Sequence, residues 1–291
     1  MRIARHGSDF RSDLDALASQ VHPVFMLPPL AASGFGAVLA WRATDTVSGS
    51  LPVVLALVHV AAIFSAVYTA HVKDGYVDFY LRAEDDDHSI TESGCRLALA
   101  GSTVAFFTLL VALWWRIDVL AALLTLPTWV IAYGHAPQLD TNPLTATTGY
   151  PMGIALAIVG GYYVQAGAVA PIAAAFAVVF LVLLSGVKVI DDAQDYDYDR
   201  SIAKRTVAVA VGPRQARLFA YGLMIAGMLA VAGFAATQLF PPSTVLASLA
   251  FALVALATRR AGPELATMLL VRGSYVFLAV LVAAVWFRPL S

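Results

Sequence analysis

Long apolar stretches separated by short polar segments run through almost the whole chain of 291 residues. An α-helix needs roughly 20 apolar residues to cross the hydrocarbon core of a membrane, and about nine stretches approach that length. They lie near residues 23–41, 51–72, 96–115, 119–135, 151–167, 169–189, 216–236, 243–258 and 265–287. The narrow break between the fifth and sixth stretches and the short eighth stretch leave a count of eight open. The pattern predicts an all-α polytopic membrane protein.

The composition agrees with this prediction, because 60% of the residues are hydrophobic and only 13% are charged. A soluble domain carries about 25% charged residues, so the chain falls outside that class. Residues 1–21 mix arginines with aspartates and lack the apolar core of a signal peptide. We expect them to form a cytoplasmic N-terminal segment ahead of a single transmembrane domain at residues 22–291. The lone Cys95 excludes an internal disulfide.

The basic residues are distributed unequally between the two predicted membrane faces. With nine spans and the N-terminus inside, only Arg42, Arg116 and Arg288 of the 18 Lys and Arg residues fall at the outer face. Arg272 lies within the last stretch, and the others lie at the inner face. Cytoplasmic loops are enriched in Lys and Arg, so the N-terminus is expected in the cytoplasm of a plasma or inner membrane.

Two loops of the same predicted face hold 12 of the 19 carboxylates, seven in the first loop and five in the second. The first aspartate segment, residues 74–82, continues directly from the second apolar stretch. If the helix runs on, Asp74, Asp78 and Arg82 stack on one face at intervals of four residues. Asp85 or Asp86 would supply a third acidic ligand after a turn.

The second aspartate segment, residues 188–206, extends the sixth apolar stretch in the same way. In a continuous helix Asp191, Asp195 and Asp199 repeat at intervals of four, and Asp192 precedes Asp195 by three. A plain alternative is that both segments are solvated, charged loops. The regular spacing argues against that alternative, because like charges at this spacing destabilise an isolated helix.

Carboxylates in this arrangement suit Mg²⁺, a hard cation that is usually held by a few carboxylates and by phosphate oxygens. Cations beside such a cluster bind the remaining oxygens of a diphosphate. The predicted metal ligands are Asp74, Asp78, Asp191, Asp192, Asp195 and Asp199. The predicted diphosphate-binding cations are Arg82, Lys188, Arg200, Lys204 and Arg205.

The second aspartate segment resembles a motif of the UbiA superfamily of intramembrane prenyltransferases, D-x-x-D-x-x-x-D-R followed by K-R-T. The residues that match in order are Asp192, Asp195, Asp199, Arg200, Lys204, Arg205 and Thr206. The first aspartate segment departs from the family, because Lys73 stands where the family usually has Asn. Its aspartates are also spaced D-x-x-x-D instead of D-x-x-D.

The resemblance implies a fold and an activity. The expected fold is nine helices around a central cavity beneath a cytoplasmic cap. The expected activity is Mg²⁺-dependent transfer of a polyprenyl group from a polyprenyl diphosphate to a lipophilic acceptor. A quinone precursor, a carotenoid, a chlorin or a glycerol lipid all fit as acceptor, and Asp195 or Asp199 is expected to act on it catalytically.

Two other functions are compatible with the pattern. A transporter or channel with an acidic cytoplasmic metal site would carry charges near the membrane midplane, where only Arg272 is found. A transferase that uses CDP-activated lipids is hinted at by Asp74-Gly75, but the rest of that motif is missing. His135 reads more readily as a polar loop residue than as a ligand of the acceptor. No nucleic-acid partner is expected, and the oligomeric state is left open.

Overall fold

The computed structural model describes residues 2–44, 51–83, 86–202 and 204–290. Within these ranges the chain is helical and contains no strand beyond one isolated bridge between Ala4 and Ile90. Its helices are α1 (Phe10–Ala18), α2 (Pro23–Thr44), α3 (Leu51–Tyr76), α4 (Glu92–Arg116), α5 (Val119–Gly134), α6 (Pro143–Ala166), α7 (Pro171–Gln194), α8 (Tyr196–Ser201), α9 (Val207–Val211), α10 (Pro213–Ala236), α11 (Val245–Thr258) and α12 (Pro263–Phe287). Two π-helical turns (Val77–Leu81 and His135–Leu139) and a 3₁₀ turn (Pro242–Thr244) join some of them.

Seven helices of the described chain are long and apolar enough to cross a membrane. They comprise Pro23–Ala43, Pro52–Leu81, Glu92–Arg116, Val119–Leu139, Pro171–Gln194, Pro213–Ala236 and Glu264–Phe287. The fifth and eighth predicted stretches also form helices, α6 and α11, but α11 has only 14 residues and neither is among the seven. The all-α polytopic architecture is therefore confirmed, whereas the count of nine spans is not.

Polar side chains and prolines fix where several helices begin. The carboxylate of Asp118 accepts a hydrogen bond from Ala121 N at 2.9 Å, and the Thr91 hydroxyl accepts one from Gly94 N at 3.0 Å. Such N-caps satisfy N–H groups that lack a partner inside the helix. Pro143 and Pro171 occupy the first turns of α6 and α7, where a missing N–H costs nothing.

Glycines allow α2 and α6 to cross closely. A Cβ atom at Gly36 would lie 2.2 Å from Ile158 O, and one at Gly161 would lie 2.2 Å from Ser33 O. Small residues at such crossings let two backbones approach, which is how helices in lipid gain packing energy. The tight crossing sets α2 and α6 side by side along one wall of the central bundle.

The N-terminal segment packs against the polar loop that follows the first aspartate segment. Arg5 N donates to Ser89 O at 2.9 Å, and Thr91 N donates to Ile3 O at 2.8 Å. The Asp13 carboxylate accepts from Ala4 N at 2.7 Å, which joins α1 to the same unit. These backbone contacts form a cap over one end of the bundle.

Candidate active site

A cavity of about 550 Å³ lies between α2, α3, α5, α6, α7 and α12, directly under the cap. Both aspartate segments reach it, with Asp74 and Asp78 from the first and Asp191 from the second. Asp87 and several other polar residues also line it, but much of the remaining wall is apolar and includes Ile63, Val67, Ile131, Ile154, Leu184 and Val271. The cavity therefore has an anionic end, which we call the aspartate end, and an apolar chamber.

The first aspartate segment continues α3 as predicted, although its last residues form the π-helical turn Val77–Leu81. Arg82 lies 3.4 Å from the Asp78 carboxylate and 2.6 Å from that of Asp140, which follows α5. The contact between Asp78 and Arg82 is compatible with the prediction that these two residues share one helical face. Asp140 is an additional partner that holds the Arg82 guanidinium between two loops.

Lys73 faces away from the carboxylates of the first aspartate segment. Its ammonium group donates to the Tyr133 carbonyl and to Gln138 Oε1, the latter at 3.0 Å, and lies 4.1 Å from the Tyr133 ring centroid. The residue that departs from the family pattern is therefore buried and ties α3 to the end of α5. Asp86 is exposed, and Asp85 lies outside the described residues.

The second aspartate segment does not form the continuous helix that its spacing predicted. Helix α7 ends at Gln194, Asp195 stands between the two helices with φ −93° and ψ 18°, and α8 begins at Tyr196. The prediction that Asp191, Asp195 and Asp199 stack on one helical face was therefore wrong. Asp195 is exposed, whereas Asp199, within α8, is buried.

Lys188 bonds to two carboxylates of the second aspartate segment. Its Nζ atom lies 2.9 Å from Asp191 Oδ2 and 2.6 Å from Asp192 Oδ1. Asp192 is only 4% exposed, and its Oδ2 atom is buried without a hydrogen-bond partner in the described chain. A buried carboxylate oxygen without a partner is costly, so this oxygen has the capacity to accept a cation.

The carboxylates at the end of α7 are electrostatically coupled. Burial raises the pKa of Asp199 to about 6, with Lys204 opposing the shift and Asp192 reinforcing it. Partial desolvation of its carboxyl group also raises the pKa of Asp195, and the neighbouring Asp191 adds to that effect. A further cation at this end would favour the ionised form of every member of the group.

The predicted diphosphate-binding cations differ in whether they line the cavity. Lys188 lines the cavity, whereas Arg200 and Arg205 are exposed and Lys204 lies over the Tyr198 ring at 5.9 Å. The backbone of the same stretch is anchored, because Arg205 N donates to Asp140 O at 3.1 Å. Of the five predicted cations, only Lys188 belongs to the described cavity wall.

The residues at the aspartate end fit Mg²⁺. In the described parts of the chain no three His, Cys, Asp or Glu side chains are close enough together to hold a metal by themselves. Mg²⁺ is usually bound through one or two carboxylates with water and substrate phosphates completing the shell, so a complete protein cage is not required. Asp74, Asp78 and Asp191 supply hard oxygen ligands of the type that this mode of binding uses.

Four histidines that the sequence interpretation did not assign to the site line the cavity, namely His22, His71, His88 and His135. The rings of His22 and His71 lie 5.0 Å apart, and His135 is within electrostatic reach of both Asp74 and Lys188. His71 precedes Asp74 by three positions, a spacing that places both side chains on one face of α3. That signal was present in the sequence, whereas the position of His135 depends on how α5 packs.

Comparisons with known proteins bear on the fold. No family model matches the sequence, and no curated protein matches it significantly. A digeranylgeranylglyceryl phosphate synthase structure superimposes with TM-score 0.70 at 11% identity, over 94% of this chain and 99% of that one. A UbiA homologue from Aeropyrum pernix K1 gives TM-score 0.69 at 15% identity, over 90% and 98% of the two chains.

A third structure is a UbiA homologue from Archaeoglobus fulgidus bound to DMAPP and Mg²⁺. It gives TM-score 0.66 at 18% identity, over 94% of this chain and 99% of that one. At such identities the likeness establishes the fold. The chain adopts the fold of the UbiA homologues, the superfamily that its second aspartate segment resembles.

Proposed function

We propose that this protein transfers a polyprenyl group from a polyprenyl diphosphate to a lipophilic acceptor within the membrane, in a reaction that depends on Mg²⁺. The observation that carries the proposal is one cavity in which carboxylates from two distant segments adjoin an apolar chamber. A prenyl diphosphate consists of an anionic head, which Mg²⁺ would bridge to the carboxylates, and a hydrocarbon tail, which would fit the apolar chamber.

The ligands of a structural neighbour support the proposal. The Archaeoglobus fulgidus homologue binds DMAPP with Mg²⁺ and, in another structure, GPP with Mg²⁺. Transferred to this chain, such a ligand would direct its diphosphate towards Asp74, Asp78 and Asp191. In a cytoplasmic orientation, which the distribution of basic residues predicts, the donor would enter from the cytoplasm.

The chemistry requires separation of charge. The bond between the allylic carbon and the diphosphate oxygen breaks, and the diphosphate leaves with the electron pair. The acceptor then forms a bond to the allylic carbon and loses a proton. Mg²⁺ held by the carboxylates would neutralise the charge that develops on the diphosphate.

The residues of the chain contribute binding, charge and the exclusion of water. Lys188 adds a positive charge at the aspartate end. The apolar chamber shields the allylic cation from hydrolysis. Asp192, Asp195 and Asp199 complete the acidic group in this proposal, and the action of Asp195 or Asp199 on the acceptor stays a prediction. The cavity-lining imidazoles of His71 and His135 offer alternative positions for the acceptor proton.

A transfer assay tests the proposal. Purified protein is incubated with Mg²⁺, radiolabelled geranylgeranyl diphosphate and lipids extracted from the membranes of its own source. We expect label to appear in the lipid fraction and to be lost when Mg²⁺ is chelated. Asp78→Asn and Asp191→Asn should each reduce transfer by about 100-fold or more, the scale for losing a group that stabilises developing charge.

Asp197→Asn is the matched control, because Asp197 is exposed and lies in the second aspartate segment. The substitution removes one negative charge, as the two test substitutions do. Full transfer by Asp78→Asn and Asp191→Asn would contradict the assignment of the site. Absence of transfer, together with Mg²⁺-dependent ion flux in proteoliposomes, would favour a transporter or channel.

A further inference from the structure

A second cavity, of about 310 Å³, lies at the end of the molecule opposite the aspartate end. It is formed where α2 and α12 end and α7 begins, and where α10 connects to α11. On α2, Phe25 lines the first cavity and Arg42 lines the second. At 1.5 Å per residue these two positions are about 25 Å apart along the helix, so the cavities are separate.

Two arginines, Arg42 and Arg288, line this second cavity, and no acidic residue is among its described wall. Basic residues are scarce at this end, since only Arg42, Arg116 and Arg288 of the 18 Lys and Arg are assigned to it. Two of these three therefore converge on a single cavity. Apolar side chains such as Leu39, Phe240 and Val285 form the remaining wall.

The side chain of Arg42 has unused hydrogen-bonding capacity. Its Nε atom is buried without a hydrogen-bond partner in the described chain, and its guanidinium carbon lies 5.7 Å from the Trp286 ring centroid. A buried donor of a charged group without an acceptor costs stability. An anion in the cavity would supply that acceptor.

The backbone around the cavity is unusual for residues other than glycine. Arg288 has φ 45° and Gln238 has φ 62°, and both line the cavity. In the described ranges Ala83 is the other non-glycine residue with positive φ. Both residues follow helix ends, where a left-handed residue commonly terminates a helix, and here they turn the chain at the edge of the cavity.

We propose that this second cavity binds a phosphate group, carried by a phospholipid of the adjacent leaflet or present as free phosphate. Guanidinium groups match phosphate oxygens in geometry and charge, which makes arginine the common residue for phosphate recognition. The apolar wall accommodates hydrocarbon beside the headgroup. The site is distinct from the proposed catalytic cavity, and its existence does not depend on prenyl transfer.

Native mass spectrometry of delipidated protein in detergent tests this proposal with three probes. These are dioleoyl phosphatidylglycerol, the corresponding uncharged diacylglycerol, and inorganic phosphate. We expect one phosphatidylglycerol to remain bound and diacylglycerol to be lost. Arg42→Gln and Arg288→Gln should each weaken phosphatidylglycerol binding by about 10-fold or more, as expected for hydrogen bonds to a charged group.

Arg116→Gln is the matched control, because Arg116 is the third basic residue of this end and is exposed outside the cavity. The thermal unfolding midpoint of each variant shows whether it is folded, and Arg42→Lys should bind with intermediate affinity. Binding of inorganic phosphate that depends on Arg42, without retention of phosphatidylglycerol, would identify free phosphate as the source. Equal binding of diacylglycerol, or equal losses in Arg116→Gln and Arg42→Gln, would overturn the proposal.

Discussion

The two aspartate segments serve the same cavity but are built differently. The first, with Asp74 and Asp78, is the poorer match to a known motif, yet both aspartates line the cavity. The second is the better match, yet Asp191 is the one predicted carboxylate of that segment in the described cavity wall. The match to a family motif therefore predicts the fold well, but it does not predict which side chains line the cavity.

The internal charge balance of the two segments also differs. Asp74 makes no hydrogen bond or ion pair within the described residues and is partly exposed. Asp192, in contrast, is 4% exposed and bonded to Lys188 at 2.6 Å. The first segment therefore presents one carboxylate without a partner in the described part of the chain, Asp74, whereas the second carries a buried carboxylate, Asp192, that is neutralised by a lysine of the same helix.

Removing Lys188 is expected to have the largest effect and to separate the two segments most sharply. Lys188→Met leaves the buried Asp192 carboxylate without its bonded cation, so the free energy of unfolding should fall by about 3 kcal/mol. Asp74→Asn should change it by less than about 0.5 kcal/mol, the usual range for a partly exposed position without partners. Denaturant unfolding in detergent micelles without Mg²⁺ measures both changes.

The double variant Lys188→Met/Asp192→Asn should recover most of the lost unfolding free energy, because the uncompensated buried charge is removed with its partner. It should remain poor in prenyl transfer, since the positive charge at the cavity is still missing. If Lys188→Met were as stable as wild type, the carboxylates of the second segment would need an internal cation no more than Asp74 does.

Part of this architecture follows from local sequence. The apolar stretches predict the helices because the length needed to cross a membrane is a property of each stretch alone. Lys73 and Asp74 are adjacent, and adjacent residues point about 100° apart on a helix with 3.6 residues per turn, so their different surroundings were also foreseeable. The same geometry places His71 beside Asp74.

Other features depend on tertiary packing that spacing does not encode. The interval of four residues between Asp191 and Asp195 is compatible with a continuing helix, but α7 ends between them. The contact of Arg82 with Asp140 joins residues 58 positions apart, through two loops that meet only in the folded chain. The aspartates could thus be predicted as a group, whereas their individual partners could not.

Replacing Lys73 with the Asn typical of the family tests whether the motif or the structure better describes the first segment. Lys73→Asn loses the hydrogen bonds to the Tyr133 carbonyl and Gln138, so the free energy of unfolding should fall by about 1–3 kcal/mol. Prenyl transfer should not rise. A double-mutant cycle with Gln138→Ala should show non-additive losses, because the two residues are in contact. Increased transfer in Lys73→Asn would instead place residue 73 at the cavity.

The smallest expected effect concerns the cap beside the first segment. Hydrogen bonding from His6, together with the nearby Arg5, lowers the pKa of Asp87 below its ordinary value of 3.8. A carboxyl whose pKa is lowered on folding stabilises the folded cap above the ordinary value, and this contribution is lost as the pH falls through the lowered pKa. Asp87→Asn should therefore speed hydrogen exchange at Ala4 and Arg5 relative to wild type at pH 7, and the two proteins should converge in acid once the Asp87 carboxyl is protonated. Asp86→Asn is the matched control, since Asp86 is exposed in the same loop. Equal exchange in wild type and Asp87→Asn at pH 7 would mean that this contact does not hold the cap over the aspartate end.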